Sequence, residues 1–179
     1  MLSKDQLTDV LKEKFPDSFI EITEFRDILT IHIWGKQVQD LLRSLKTEPR
    51  FAFNFLAGIT AVDHLEMGGH ARFAVVYHLL NQHDSKRIVV RAWVDEEEPS
   101  LPSVESLWKT ADWQEREVYD LFGIQFIDHP NMIRIMNPEY FQYHPLRKDY
   151  PLQGRGERDD FKVIKRNIGS KWSGTQGFE

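Results

Sequence analysis

Residues 113–134, WQEREVYDLFGIQFIDHPNMIR, gather charge, aromatic rings and a helix stop into one short stretch, and the rest of the fold follows from how they are read. Asp112 is placed to cap a helix, Glu115 and Glu117 fall in its positively polarised first turn, and Gly123 stands where a left-handed stop residue belongs. The spacing predicts a short helix from Trp113 to Phe122. Asp112 and Arg116, and Arg116 and Asp120, are four apart and within pairing reach, while Val118, Leu121 and Phe122 form an apolar edge. Beyond Gly123, Ile124 and Phe126 read as a brief extended segment, and Pro130 holds His129 towards extended backbone.

Upstream, Ser3 followed by Gln6 is a capping-box pattern, and Leu7, Val10, Leu11 and Phe15 recur at helical spacing until Pro16. Phe19 to Thr23 and Ile28 to Trp34 are rich in β-formers around a polar EFRD turn, a predicted hairpin that Gly35 ends. Val38, Leu41, Leu42 and Leu45 mark a second amphipathic helix, closed by Pro49. Phe51 to Phe55 and Ile59 to Leu65 are expected as strands separated by Gly58, with a break at Gly68-Gly69. Phe73 to Leu80 and Ile88 to Val94 then form the clearest hairpin, turned by NQHDSK. Its first arm is apolar on both sides, so that strand is expected to be central, or covered on both faces. The acidic run Asp95 to Glu98 reads as a solvated loop. Pro99 and Pro102 enforce an extended link, and a short helical piece is expected around Ser103 to Trp108.

Downstream the texture changes. Pro130, Pro138, Pro145 and Pro151 interleave with Tyr140, Phe141, Tyr143 and Tyr150, so a regular helix is forbidden while the rings still demand cover. The expected form is an extended strap laid on a surface. The last stretch, from Gly154 to Glu179, has too few apolar residues for a core of its own and is expected to be disordered alone or ordered by a partner. The elements read in this way run α-β-β-α, then strands and the hairpin, and end in the strap.

A content of 41% hydrophobic and 12% aromatic residues in 179 positions is enough to bury one real core. The absence of cysteine excludes disulfides, thiolate-held zinc and cysteine-held iron–sulfur clusters. The N-terminus lacks an apolar h-region and no window approaches a bilayer span, so a soluble, cytoplasmic-facing chain is expected. The formal net charge of −5 is unevenly placed. Residues 147–179 hold eight Lys/Arg and five Asp/Glu (+3), which leaves −8 on the rest. Such a body repels a long polyanion, so Arg147 and Lys148 among the aromatics read as part of a protein-docking surface, with Arg147 and the tyrosines as its anchors, and not as a nucleic-acid clamp.

Chemistry of other kinds is sparse. Asp128, His129, His144 and Asp149 are the best metal-ligand candidates and would serve a metal-dependent hydrolase, but there is no HExxH, and both histidines precede prolines, which favours structural roles. His64, His70, His78 and His83 are scattered. GRGERD at 154–159 lacks the strand and the third glycine of a phosphate loop, and no GxSxG elbow occurs. Glu115 and Glu117 are two apart on a helix and point in different directions, so ion pairing and capping explain them better than acid–base work.

EREVYDLFGIQFIDHPNMIRI, preceded by SLPSVESLWKTADW and followed by HPLRKDYPLQG, resembles the C subunit of respiratory NADH:quinone oxidoreductase, the 30 kDa subunit family of complex I. FNFLAGITAVDHLE and RFAVVYHLL share the likeness, which covers roughly Phe51 to Gly154. The resemblance implies an α+β fold: residues 1–128 a two-layer domain, its mostly antiparallel or mixed sheet carrying helices on one face, and residues 129–179 an extended C-terminal segment that wraps a neighbour in the hydrophilic arm. It also implies a non-catalytic, assembly-stabilising chain of a proton-translocating complex, with FMN, iron–sulfur clusters and quinone in other subunits and no cofactor here. The partners implied are the quinone-site (D) subunit and its iron–sulfur neighbours, the B and I subunits, at the cytoplasmic side of the cell inner membrane. An equivalent chain of a ferredoxin-dependent or hydrogenase-type relative fits the same motifs. The residues carried over as a structural and interface signature are Glu115, Arg116, Glu117, Tyr119, Asp120, Phe122, Gly123, Phe126, His129, Pro130, Arg134, Pro145, Leu146, Arg147, Lys148, Asp149, Tyr150 and Pro151.

Overall fold

The computed structural model describes residues 4–156. Helix α1 (Lys4–Lys14) buries Leu7 and Leu11, and Phe15 continues the stripe. Ser3 of the anticipated capping box lies outside the described residues. Strands β1 (Phe19–Phe25) and β2 (Ile28–Trp34) form the expected hairpin, and a 3-10 turn at Gly35–Gln37 leads into α2 (Val38–Thr47). Val38, Leu41, Leu42 and Leu45 of α2 are all fully buried, each contributing about 1.5–3 kcal/mol of burial.

Strands β3 (Phe55–Asp63), β4 (Phe73–Asn81) and β5 (Lys86–Val94) follow as an antiparallel meander. The five strands lie in the order β1-β2-β5-β4-β3, and β2 runs parallel to β5, with Leu29 opposite Ile88. The sheet is therefore mixed, and β4 is interior and buried along most of its length, as its two-sided apolarity predicts. The main core joins the helices to one sheet face: Leu7, Leu11, Leu41, Leu42 and Leu45 pack with Ile31, Ile33, Val75, Tyr77, Val90 and Ala92.

Three local expectations change. Phe51 to Phe55 does not form a separate strand. Phe51 and Phe53 instead plug the core from a turn and loop after α2, and Phe53 N donates back to the Leu45 carbonyl at 2.9 Å. Gly58 does not divide two strands, because β3 passes through it with a register shift. The Pro99–Pro102 link contains a short strand, β6 (Ser100–Pro102), and Ser103 to Trp108 is a hydrogen-bonded turn rather than a helix.

Helix α3 (Ala111–Phe122) lies against β3, and Gln114 Oε1 accepts the β3 amide of Ile59 at 2.6 Å. An otherwise bare sheet edge is thereby covered. The helix starts two residues earlier than expected, with Thr110 at the N-cap and Asp112 in the first turn rather than capping. It ends at Gly123, whose φ of 74° is the left-handed stop. Strand β7 (Gln125–Ile127) then pairs in parallel with β6. Residues 129–156 continue without helix or strand as a string of tight turns, with Phe141, Arg147, Tyr150 and Gly154 each donating a backbone amide three residues back. Residues 157–179 of the expected strap lie outside the described residues.

Candidate functional site

The signature stretch is a joint, and its centre is the carboxylate of Asp120, which is 0% exposed. Oδ2 accepts the backbone amides of Ile135 (3.1 Å), Met136 (2.7 Å) and Asn137 (2.8 Å). Oδ1 accepts Arg134 Nη1 at 2.6 Å and Asn137 Nδ2 at 3.0 Å. Burial pushes this acid up, but the amide and side chain of Asn137, then Met136 and Arg134, hold it down to about 2. A turn of the strap is thus wound round a single ionised group. The Asp120 carbonyl adds contacts with His144 Nδ1 at 2.9 Å and Arg134 at 3.3 Å.

Gly123 makes room for the next contact. Arg147 Nε donates to the Phe122 carbonyl at 2.6 Å, and the Leu146 amide to the Leu121 carbonyl at 3.1 Å. A Cβ on Gly123 would sit 2.6 Å from both Arg147 Nη2 and the His144 ring. The stop glycine therefore serves the strap as much as the helix.

A second pin lies at the far end of β3. Asp63 accepts Arg72 (3.1 and 3.2 Å), the Leu65 amide and the strap amide of Lys148 (both 2.9 Å). Arg72 also reaches Asp149 at 3.1 Å and pairs with Glu96. Burial pushes Asp63 up, yet the bonds from Arg72, Lys148 and Leu65 leave it lowered overall. The guanidinium groups of Arg72 and Arg147 both lie over the Phe73 ring, 4.8 and 5.1 Å from its centroid.

Glu115 behaves differently from the expected capping and pairing. It is 0% exposed and accepts Ser103 Oγ at 2.6 Å and the Val104 amide at 2.7 Å, so it ties α3 to the Ser103 turn. The His129 ring, with its Nδ1 taken by the Asn131 amide at 3.1 Å, brings Nε2 to 3.3 Å from Asp112 Oδ1 and 3.9 Å from Glu115 Oε2. Burial pushes the Glu115 carboxyl up to about 7, Glu105 and Asp112 add repulsion, and its two donors pull the other way. Its ordinary value is 4.5. Between about pH 4.5 and pH 7 the folded protein keeps a proton that the unfolded chain has lost, so stability falls as pH rises through that window, by on the order of 3 kcal/mol. Glu115→Gln should flatten this slope in urea midpoints measured across the window. An unchanged slope would mean that another group carries it.

The remaining signature residues divide between body and strap. Phe122 and Phe126 are core residues. Glu117 and Pro130 are exposed, Tyr119 is half-buried with its ring 6.4 Å from His144, and Leu146 exposes its side chain. Pro145 and Pro151 are half-buried, and Tyr150 joins Phe141 and Tyr143 in a ring cluster. Arg116 pairs with neither Asp112 nor Asp120. It lies over Trp113 and donates Nε to the Ile133 carbonyl at 3.0 Å, because Arg134 already occupies Asp120. Asp63, Arg72 and Asn137 escape a reading of the sequence. The available signal is an Asp and an Arg at the facing ends of two strongly apolar strands.

The hydrolase candidates do not converge. Asp128 is exposed, His129 faces Asp112, His144 faces the Asp120 carbonyl and Asp149 faces Arg72. Among the described residues, Glu21, His32 and His70 do bring ligand atoms within 4.8 Å of one another. Trp93 Nε1, however, donates to His32 Nδ1 at 3.3 Å, which leaves the proton on Nε2, facing Thr23 Oγ1 at 3.0 Å. Neutral His32 then has no lone pair free for an ion.

Fold and site together define an α+β module whose C-terminal strap is pinned to its last helix and to the sheet. The chain matches the family model of the respiratory-chain NADH dehydrogenase 30 kDa subunit over residues 31–156. It is 43% identical to the C subunit of NADH-quinone oxidoreductase from Citrifermentans bemidjiense, an alignment covering 85% of this chain and 91% of that protein. It is 42% identical to the corresponding C subunit of a Roseiflexus species over 79% of this chain and 80% of the other. A trypsin-resistant fragment of Nqo5 superposes with a TM-score of 0.59 at 37% identity, covering 70% of this chain and 98% of the fragment. A chain from the membrane-bound sulfane sulfur reductase, an archaeal respiratory membrane complex, gives 0.66 at 26% identity, covering 90% and 93%. The chain belongs to the 30 kDa subunit family of respiratory NADH dehydrogenase. No helix among the described residues is long and apolar enough to cross a membrane.

Proposed function

We propose that this chain is a non-catalytic, assembly-stabilising subunit of a proton-translocating NADH:quinone oxidoreductase. It packs against the quinone-site (D) subunit and the iron–sulfur B and I subunits, peripherally, on the cytoplasmic side of the cell inner membrane. Flavin, iron–sulfur clusters and quinone belong to other subunits. The observation that carries this reading is the pinned strap. Asp120, Gly123 and Asp63 spend buried charge and backbone geometry on fixing its course, and its outward side presents Ile133, Met136, Tyr140, Leu146 and Leu152 to solvent. A strap held so firmly yet so apolar outside is built to be covered.

Two experiments test this. Limited proteolysis of the free chain should cut beyond about residue 149, and co-expression with the quinone-site neighbour should protect those sites. Equal cutting in both preparations contradicts the wrap. Arg147→Ala should lower recovery of assembled complex more than it lowers the melting temperature of the free chain. Normal assembly with reduced turnover would give Arg147 a direct part in the reaction. The likeness to the sulfane sulfur reductase chain favours a second reading, the same scaffold role in a ferredoxin-dependent or hydrogenase-type relative. The chains that co-purify decide between the two.

A further inference from the structure

The sheet has a second face that no described helix covers. Strand register fixes which side chains share it: Phe25 on β1, Ile28 on β2, Arg87 on β5, Leu80 on β4 and Phe55 on β3 form one row across all five strands. At a strand spacing of about 4.8 Å this row is about 19 Å long. Phe25, Phe55 and Ile28 are 71%, 41% and 37% exposed, an apolar surface left in water. Behind it Val89 and then Arg91 stand on the same face of β5, and a Cβ on Gly58 would meet nothing within 4 Å.

The charge on this face is answered only in part: the Arg91 guanidinium lies over the Trp93 ring, 5.9 Å from its centroid, and Glu21 of the same face lies 3.7 Å from His70. Arg91 has its Nε buried without a hydrogen-bond partner, and neither Arg87 nor Arg91 makes an ion pair among the described residues. At the end of the row, Lys4, Arg26, Lys86 and Arg87 line a cleft of about 490 Å³ whose acids are Glu24 and Asp27 alone. On a chain of net charge −5, this is a local cationic surface beside exposed apolar rings. A buried, unpaired guanidinium nitrogen is costly unless a partner supplies the acceptor.

We infer that the helix-free sheet face, built on Phe25, Ile28, Phe55, Leu80, Arg87 and Arg91, is a second docking surface for a neighbouring subunit presenting an apolar ridge flanked by carboxylates. This rests on the assembly role proposed above and places a contact on the side of the sheet opposite the helices. A second copy is disfavoured, since two such faces would oppose their arginines. Residues 157–179 carry five Lys/Arg against four Asp/Glu and offer no acidic excess.

Replacing Phe55 with photoreactive p-benzoylphenylalanine in the full chain, purifying the assembled complex and irradiating it tests the assignment. One other subunit should be captured, through a peptide containing Asp or Glu. Arg91→Glu should cut that yield about tenfold, as expected for reversing one closely paired charge, and Arg91→Lys should retain most of it. Should Arg91→Glu unfold the free chain, Arg87→Glu at an exposed position carries the same comparison. A cross-link only to this chain, its own tail or a second copy, overturns the inference, and so does a cross-link to lipid or none at all in a complex that assembles. A chain that joins no complex overturns this inference and the assembly role together. A silent face in an intact complex overturns this inference alone.

Discussion

Asp120→Ala is expected to cost about 4 kcal/mol of folding stability, the range for breaking a buried ion pair by removing one partner. Three strap amides, the Asn137 side chain and Arg134 all converge on this carboxylate. Deleting it leaves donors buried without acceptors, each a penalty of about 1–3 kcal/mol unless water enters. Asp120→Asn should fall between, because one amide oxygen still accepts while its NH2 faces further donors. Denaturant midpoints give the energies, and trypsin cleavage at Arg134 should accelerate in the same order. A shift below about 1 kcal/mol for the alanine variant would show that the strap turn stands without this anchor. The depressed acid also sets a limit in pH. Its contribution is present above its ordinary 3.8 and is lost as pH falls through about 2, opposite in sign to the Glu115 effect.

Gly123→Ala carries the second large effect, about 3 kcal/mol, the sum of a backbone part and a clash. The left-handed backbone alone costs about 1 kcal/mol with a Cβ present. The rest arises because Arg147 and His144 occupy the space that the methyl would take, 2.6 Å away, and each is held by a hydrogen bond to the last turn of α3. Moving them breaks bonds worth about 1 kcal/mol apiece. The discriminating measurement is a double-mutant cycle with Arg147→Ala. The two changes should be strongly non-additive if the clash matters, and additive within about 0.5 kcal/mol if only helix termination does.

Much of this architecture is legible in the residues alone. Hydrophobic period identifies α1, α2 and the β4–β5 hairpin, because one buried stripe or face dominates each. Gly123 reads as the stop of α3, since an αL requirement leaves a mark in residue type. The partners of charged residues are harder to see. Spacing along one helix pairs Arg116 with Asp112 and Asp120, while in three dimensions Asp120 is claimed by residues fourteen to seventeen positions away. Spacing within an element is local information, and the strap's contacts are not. The same reason hides Asp63, whose strap contact lies 85 residues on. Glu115 reads wrongly as a capping or pairing group because nothing in its neighbourhood marks a glutamate with no exposure. Only the arrival of Ser103 beside it does.

The parallel pairing of β2 with β5 also has a kinetic side. Strands β3, β4 and β5 follow one another and close over connections of nine and four residues, whereas Leu29 must find Ile88, fifty-nine positions further on. Closing that long loop is entropically costly and gives nothing until its last contacts form. During synthesis the amino-terminal hairpin, complete early, stays without its sheet neighbour until residue 94 has been made and released. The meander is thus the folding template, and the amino-terminal hairpin, although made first, docks only after it.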